Sequence, residues 1–251
     1  MTDSPGSQAK ALPPITQQTS FWNSWNSAHR EQRAIGAAVQ RRAGQILETI
    51  RSLGLAQPTI LEAGCGSGWM CDLLSQLGRV TGLDLADEVI ARARINYPQV
   101  RFFAGDILTT DVGEGYDVVV NMEVLSHVYD QPRFIARLWE CLRPGGHLLM
   151  TTQNRFVYER RSDIAPLQPG QVRRWLNRRE VRELLRPRFE IVRMVTMDPA
   201  GHRGILRIVN SVKLDRLTHL LGLGDVARRA KEAMGFGDII FVHARKIDVQ
   251  T

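Results

Sequence analysis

The segment Glu62-Ala63-Gly64-Cys65-Gly66-Ser67-Gly68 sets a carboxylate two positions ahead of three alternating glycines. Glycines at this spacing let the backbone turn tightly and let a ligand come closer than a Cβ would allow. The dinucleotide fingerprint G-x-G-x-x-G fails, because its third glycine, counted from Gly64 and Gly66, would be Trp69. An acid at this point repels a pyrophosphate and attracts a cation. The loop therefore asks for a close, partly positive ligand, one carrying an ammonium or sulfonium group. Eighteen residues after Gly66, the run Val80-Thr81-Gly82-Leu83-Asp84 ends in a second carboxylate. In doubly wound folds that position accepts hydrogen bonds from ribose hydroxyls. Asp106, in Ala104-Gly105-Asp106-Ile107, sets a third acceptor where an adenine amino group would lie. Tyr116-Asp117-Val118-Val119-Val120-Asn121-Met122-Glu123 brings a fourth strand end beside the same crevice.

The elements that must hold these residues alternate along the chain. Short apolar runs predict strands over 59–62, 79–84, 100–103, 116–121 and 147–152. Helices are expected over 69–77, 89–96 (capped by Asp87) and 134–142. Such alternation means a doubly wound, mostly parallel sheet, with right-handed crossovers and a ligand crevice at the carboxyl ends of its strands. Upstream, Ile35, Val39, Ala43, Ile46, Leu47, Ile50 and Leu53 form one helical stripe that Gly54 ends. Downstream, a helix over 181–185 and a strand over 189–196 precede a mainly helical stretch, 198–236, and a last strand over 239–244. The organisation expected is a flexible tail at 1–20, an N-terminal lid and helix at 21–57, and a core at 58–197 plus 237–247. Residues 198–236 are read as a helical cap inserted between the last two strands, over the substrate pocket.

The 251 residues suit one large domain that buries roughly 70–75% of its unfolded surface without a staple. No signal peptide or membrane span is visible. Cys65, Cys71 and Cys141 lack metal-like spacing and read as free thiols of a cytoplasmic protein. No metal is expected. The net charge of +7 is concentrated: Arg155 to Arg193 holds 11 arginines against five acids. This stretch is either a solvated face or a docking surface for an anionic partner such as an acidic carrier protein.

Taken together and in order, the four strand-end signals resemble a class I S-adenosylmethionine-dependent methyltransferase. Within that superfamily the chain is similar to the small-molecule branch that includes the ubiquinone-biosynthesis O-methyltransferases. The likeness is densest over Met122–Val128, Leu142-Arg143-Pro144-Gly145-Gly146 and Thr152-Gln153-Asn154-Arg155. It implies a Rossmann-like seven-stranded sheet with two late strands in antiparallel pairing. It implies S-adenosylmethionine as cofactor and S-adenosylhomocysteine as product. Glu62 would bond the methionine ammonium, and Gly64, Cys65 and Gly66 would line the methionine. Asp84 would hold the ribose, with Leu85 against the adenine. Asp106 and the Ile107 amide would meet the adenine edge, and the Asn121 carbonyl the ammonium.

The resemblance leaves the acceptor side open. His127, just past the fourth strand, is a candidate general base or a histidine that orients the loop. His202, in Pro199-Ala200-Gly201-His202-Arg203, is a second catalytic candidate. Trp22, Trp25 and His29 are candidates to touch substrate, and Arg30 to pair with the donor carboxylate. The leading activity is methyl transfer to a hydroxyl of a small metabolite, such as a phenol, quinol, sugar or natural-product intermediate. Amine or carboxyl acceptors are the alternatives. Nucleic-acid methylation is disfavoured, because the strand-four segment lacks an Asn/Asp-Pro-Pro-aromatic motif and no cysteine follows a proline. A donor-binding protein without turnover is the remaining class. Oligomeric state is not legible.

Overall fold

A computed structural model describes residues 12–201, 203–211, 216 and 218–248. His202 and residues 1–11 of the expected tail lie outside them. Seven strands form one sheet: β1 (Thr59–Ala63), β2 (Arg79–Asp84), β3 (Arg101–Ala104), β4 (Tyr116–Met122), β5 (Leu142–Gln153), β6 (Phe189–Pro199) and β7 (Gly237–Lys246). Their order is β3-β2-β1-β4-β5-β7-β6. The first five are mutually parallel, and β7 runs antiparallel to both β5 and β6.

Strand alternation splits the core in two. Leu61, Val119, Leu148 and Met150 point to one face, where they meet Phe134, Ile135 and Leu138 of α5 (Gln131–Cys141) and Val181 and Leu185 of α7 (Arg178–Leu185). Ile60, Val118, Val120 and Leu149 point to the other. There they meet α2 (Ala37–Ser52), α3 (Trp69–Ser75) and α4 (Asp87–Asn96) through Ile46, Ile50, Met70, Leu74 and Ile90. α6 (Arg155–Tyr158) follows β5. Asp130 caps α5 by accepting from the Arg133 amide, and Asn177 and Glu180 form a reciprocal capping box at α7.

Several boundaries correct the sequence reading. α1 spans Ile15–Asn26, so residues 15–20, expected in a tail, form its first half. It continues as one π turn over Ser27–Glu31. Asp87 is the first residue of α4 and not its cap; Ala86 holds the cap position. β5 begins at Leu142, before the Pro144-Gly145-Gly146 turn, because Leu142 already pairs with Tyr116 across an irregularity in the ladder. The described residues of the insertion between β6 and β7 include α8 (Ile205–Val209) and α9 (Gly224–Met234). α9 lies against β6, where the Thr196 hydroxyl donates to the Glu232 carbonyl. No helix among the described residues is long and apolar enough to cross a membrane.

One buried charge ties these layers together. Arg42 of α2 is 7% exposed. Its guanidinium bonds Glu123 after β4 (2.8 Å), Asp198 near the end of β6 (2.8 Å) and Asp238 at the start of β7 (3.2 Å). Burial opposes the charge on Arg42, but the three carboxylates outweigh it and hold its pKa above the ordinary arginine value. Removing one partner of a buried ionic set strands the others, which costs about 3–5 kcal/mol. Arg42→Met is therefore expected to lower the unfolding free energy by about that amount. Arg41→Met removes a half-exposed partner of the same Asp198 and should cost under about 1 kcal/mol. Chemical denaturation of the two variants checks this; equal, mild losses would refute the clamp.

Candidate active site

The strand ends surround a cavity of about 460 Å³ at the carboxyl edge of the sheet. β1 delivers Glu62 and then the glycine loop. Gly64 has φ of +85° and a Cβ there would stand 2.1 Å from Val124 Cγ2. Gly66 has φ of +51° and a Cβ there would stand 2.6 Å from Asn26 Oδ1 of α1. Glycine is thus required at both for conformation and for space. The amides of Gly64 and Cys65 donate to the Leu83 carbonyl at 2.7 and 3.0 Å. Asp84 accepts from the Gly66 amide through Oδ2 (2.7 Å) and from the Ala86 amide through Oδ1 (2.9 Å). That one carboxylate fixes the loops after β1 and β2 against each other.

Glu62 is almost fully buried and accepts from the Cys71 thiol at 2.9 Å. Burial pushes its carboxyl up to about 8, with the Cys71 hydrogen bond opposing and the Asp84 charge adding. A cation bound beside Glu62 would reverse that shift.

The other expected residues divide clearly. Trp22, Trp25, Arg30, Cys65, Leu85, Asp106, Ile107 and His127 all line the cavity. Asn121 does not. It is fully buried behind the wall, and its Nδ2 donates to the Ala63 carbonyl at 2.7 Å, joining the ends of β4 and β1. His29 is outside as well. One helical turn after Trp25, its Nδ1–H donates to the Trp25 carbonyl, and its ring stacks on the indole at 4.9 Å between centroids. Arg30 lies 5.0 Å from the centre of the Trp25 ring. Burial pulls its guanidinium below the usual range, partly offset by the charge of Glu123.

His127 sits at the end of a 3-10 turn, Leu125–His127. Its Nδ1 is 2.9 Å from the Val172 carbonyl. A carbonyl only accepts, so Nδ1 carries the proton and Nε2 is left as an accepting nitrogen. Burial pushes its pKa down, against the Val172 hydrogen bond, which keeps the ring neutral at pH 7. The Trp22 ring packs edge-on against it, 4.8 Å between centroids.

The described residues of the insertion line no part of the cavity; α1 lines it through Ile15, Gln18, Trp22, Trp25 and Asn26. Glu123, Tyr129 and Gln171 are among the lining residues that the sequence reading did not single out as site residues. Glu123 stood at the end of the strand-four signal and could have been chosen there. Gln171 lies in an irregular stretch with no motif. In the arginine-rich segment, Arg155 pairs with Glu180, Arg161 with Asp163 and Asp238, and Arg179 with Glu183. No group of three or more potential metal ligands occurs among the described residues.

The strand order, the alternating glycines and the acidic strand ends define a class I methyltransferase fold. The chain belongs to the methyltransferase-domain family, whose model matches residues 27–194. It is 39% identical over 128 residues to a "Probable S-adenosylmethionine-dependent methyltransferase" of Mycolicibacterium smegmatis, covering 50% of this chain and 49% of that protein. It is 32% identical over 166 residues to a ubiquinone biosynthesis O-methyltransferase of Mesorhizobium japonicum, covering 63% of each. The matches thus span from just under half to less than two thirds of these relatives' length. Among solved structures, the N-methyltransferase NodS from Bradyrhizobium japonicum, in complex with S-adenosylhomocysteine, superimposes with a TM-score of 0.64 at 19% identity. That superposition covers 92% of this chain and all of that one, and it speaks to the fold.

The family's cofactor is S-adenosylmethionine, and the donor side of the cavity fits it. Gly64 and Gly66 leave a cradle with no Cβ, Asp84 and Asp106 present acceptors, and Glu62 is a buried carboxyl in need of a cation. Because the ammonium requires ionised Glu62, donor affinity should rise from pH 6 to 7.5, by up to about tenfold per unit. Calorimetry in buffers of different ionisation enthalpy should detect proton release. Glu62→Gln should flatten the dependence; a wild-type affinity that ignores pH would disprove the assignment.

Proposed function

We propose that this chain is an S-adenosylmethionine-dependent methyltransferase that methylates a hydroxyl of a small metabolite, with His127 as the base. One observation carries this reading: the Nδ1–H bond from His127 to the Val172 carbonyl, which leaves Nε2 free to accept a proton in the cavity wall. The relationship to a ubiquinone biosynthesis O-methyltransferase supports a hydroxyl acceptor.

The bound donor supplies an already activated methyl group. The chain's own task is alignment, worth on the order of 7–11 kcal/mol for well-oriented reactants, and removal of the acceptor proton. His127 Nε2 would take the proton of the acceptor hydroxyl, while the bound donor would supply the methyl group and leave as the thioether. Its low pKa keeps it neutral and able to accept. The walls beside it are Trp22, Val128 and Tyr129, with the Gln171 amide among them. A flat aromatic acceptor, a phenol or quinol, suits those walls better than a sugar. Docking of an acidic carrier on Arg155–Arg193 has weaker support, since several of those arginines already pair with acids of the same chain.

His127→Ala should lower kcat on phenolic acceptors by about 10²–10⁴-fold. Donor affinity should hold within about twofold, because no donor contact is assigned to this side chain. The acid limb of the wild-type pH profile, set by protonation of His127 below the ordinary histidine range, should vanish in the variant. Release of S-adenosylhomocysteine over a phenol panel measures all three. A variant with wild-type kcat would eliminate His127 as base, and turnover confined to amines would eliminate the hydroxyl reading.

A further inference from the structure

The described residues of the insertion between β6 and β7 attach it to the core at some positions and expose apolar side chains at others. Inward, Leu206 is fully buried and α9 is bonded to β6. Outward, seven of the fourteen exposed large apolar side chains among the described residues fall within 205–234. Four of them cluster on one tight reversal. Leu223 N donates to the Thr218 carbonyl at 2.8 Å and Gly222 N to the His219 carbonyl at 3.0 Å, and α9 starts at once. The tip so formed displays Leu220 (84% exposed), Leu221 (62%), Leu223 and Val226 (63%). Ile205 and Ile208 of α8 are exposed as well.

Exposed apolar side chains gathered on one tight turn can enter a hydrocarbon layer together. The charges alongside have one dominant sign. Arg203, Arg207, Arg216 and Arg229 are exposed on the same insertion. Asp225, the acid at the tip, is bridged to Arg228 at 3.2 Å. Apolar side chains interleaved with arginines are the composition of an interfacial anchor, in which guanidinium groups take lipid phosphates while the apolar groups enter the acyl boundary.

We infer that the described parts of this insertion, 203–211, 216 and 218–234, dock this chain reversibly on an anionic lipid surface, with the Leu220–Val226 tip inserted. The surface lies outside the cavity and acts independently of which acceptor is methylated. The test is co-sedimentation of the full chain with vesicles of phosphatidylcholine alone or mixed with phosphatidylglycerol. Binding should require phosphatidylglycerol and weaken with salt. Combining Leu220→Ser, Leu221→Ser and Leu223→Ser should lower partitioning at least about tenfold. Arg216→Glu with Arg229→Glu should lower it by roughly fivefold per charge removed. Both variants should keep wild-type donor binding and thermal midpoint, because none of these residues lines the cavity. No partitioning by the wild type, or partitioning indifferent to the leucines, would overturn the inference. So would a wild-type dimer that the leucine substitutions convert to monomer without any vesicle binding, since the tip would then be an interface between copies.

Discussion

The guanidinium of Arg42 is the constraint on which the rest of the architecture depends. It leaves water only because three carboxylates from three separate strand ends converge on it. Two of those, Glu123 and Asp198, have left-handed backbones, with φ of 63° and 58°. Such conformations cost about 1–3 kcal/mol each in non-glycine residues and persist only where the surroundings over-determine them. Here the ion pairs do so. The consequence reaches the cavity through packing. Glu123 fixes the turn after β4, that turn places Val124, and Val124 fills the space a Cβ at residue 64 would need. The donor loop keeps its glycine because an arginine on another helix holds the opposite wall.

A second constraint is electrostatic and local. Glu62, Asp84 and Cys71 form a buried acidic cluster, and Cys65 lies beside Cys71. Burial pushes up the carboxyl of Asp84 as it does that of Glu62, against hydrogen bonds from the Ala86, Gly66 and Leu85 amides. Among the described residues, neither Glu62 nor Asp84 has an ion-pair partner. Arg42 has three acids of its own, and Arg30 rests on Trp25. Selectivity for a cationic ligand over a pyrophosphate then follows from the cost of placing a second negative group beside Glu62 and Asp84.

What the sequence disclosed and what it hid follow from the range of the interactions. The sheet, the donor loop, Asp84 and Asp106 were legible because each depends on neighbours a few residues away. Strand alternation and glycine spacing are local signals. Arg42 was not singled out, since its burial depends on acids 81, 156 and 196 residues distant. The tautomer of His127 rests on Val172, 45 residues on, in a stretch with no periodicity. Residues 198–236 read as a cap because about 40 residues separate the last two strands, and length alone does not say where a segment packs; many of its described apolar side chains face out. Residues 15–20 are polar and look like tail, yet they wind into the helix whose Trp22 and Trp25 close the cavity.

Floor and roof are therefore held by interactions of different strength. Under the cavity, buried charge makes any loosening expensive, because each partner released stays uncompensated. Over it, α1 and the π turn are fastened by polar contacts near the surface. Asn23 Nδ2 donates to Asp87, and Arg92 reaches Glu31 and the Ser27 hydroxyl. The Arg92 side chain is 43% exposed, so its pair is worth less than about 1 kcal/mol. A π turn is a register irregularity of the kind found where helices bend, and it falls between the roof and the first core helix. Asn26, just before it, touches the donor loop at Gly66. The segment that encloses the cavity is thus tied by partly exposed polar contacts, whereas the wall at Glu123 is tied by a buried ion cluster.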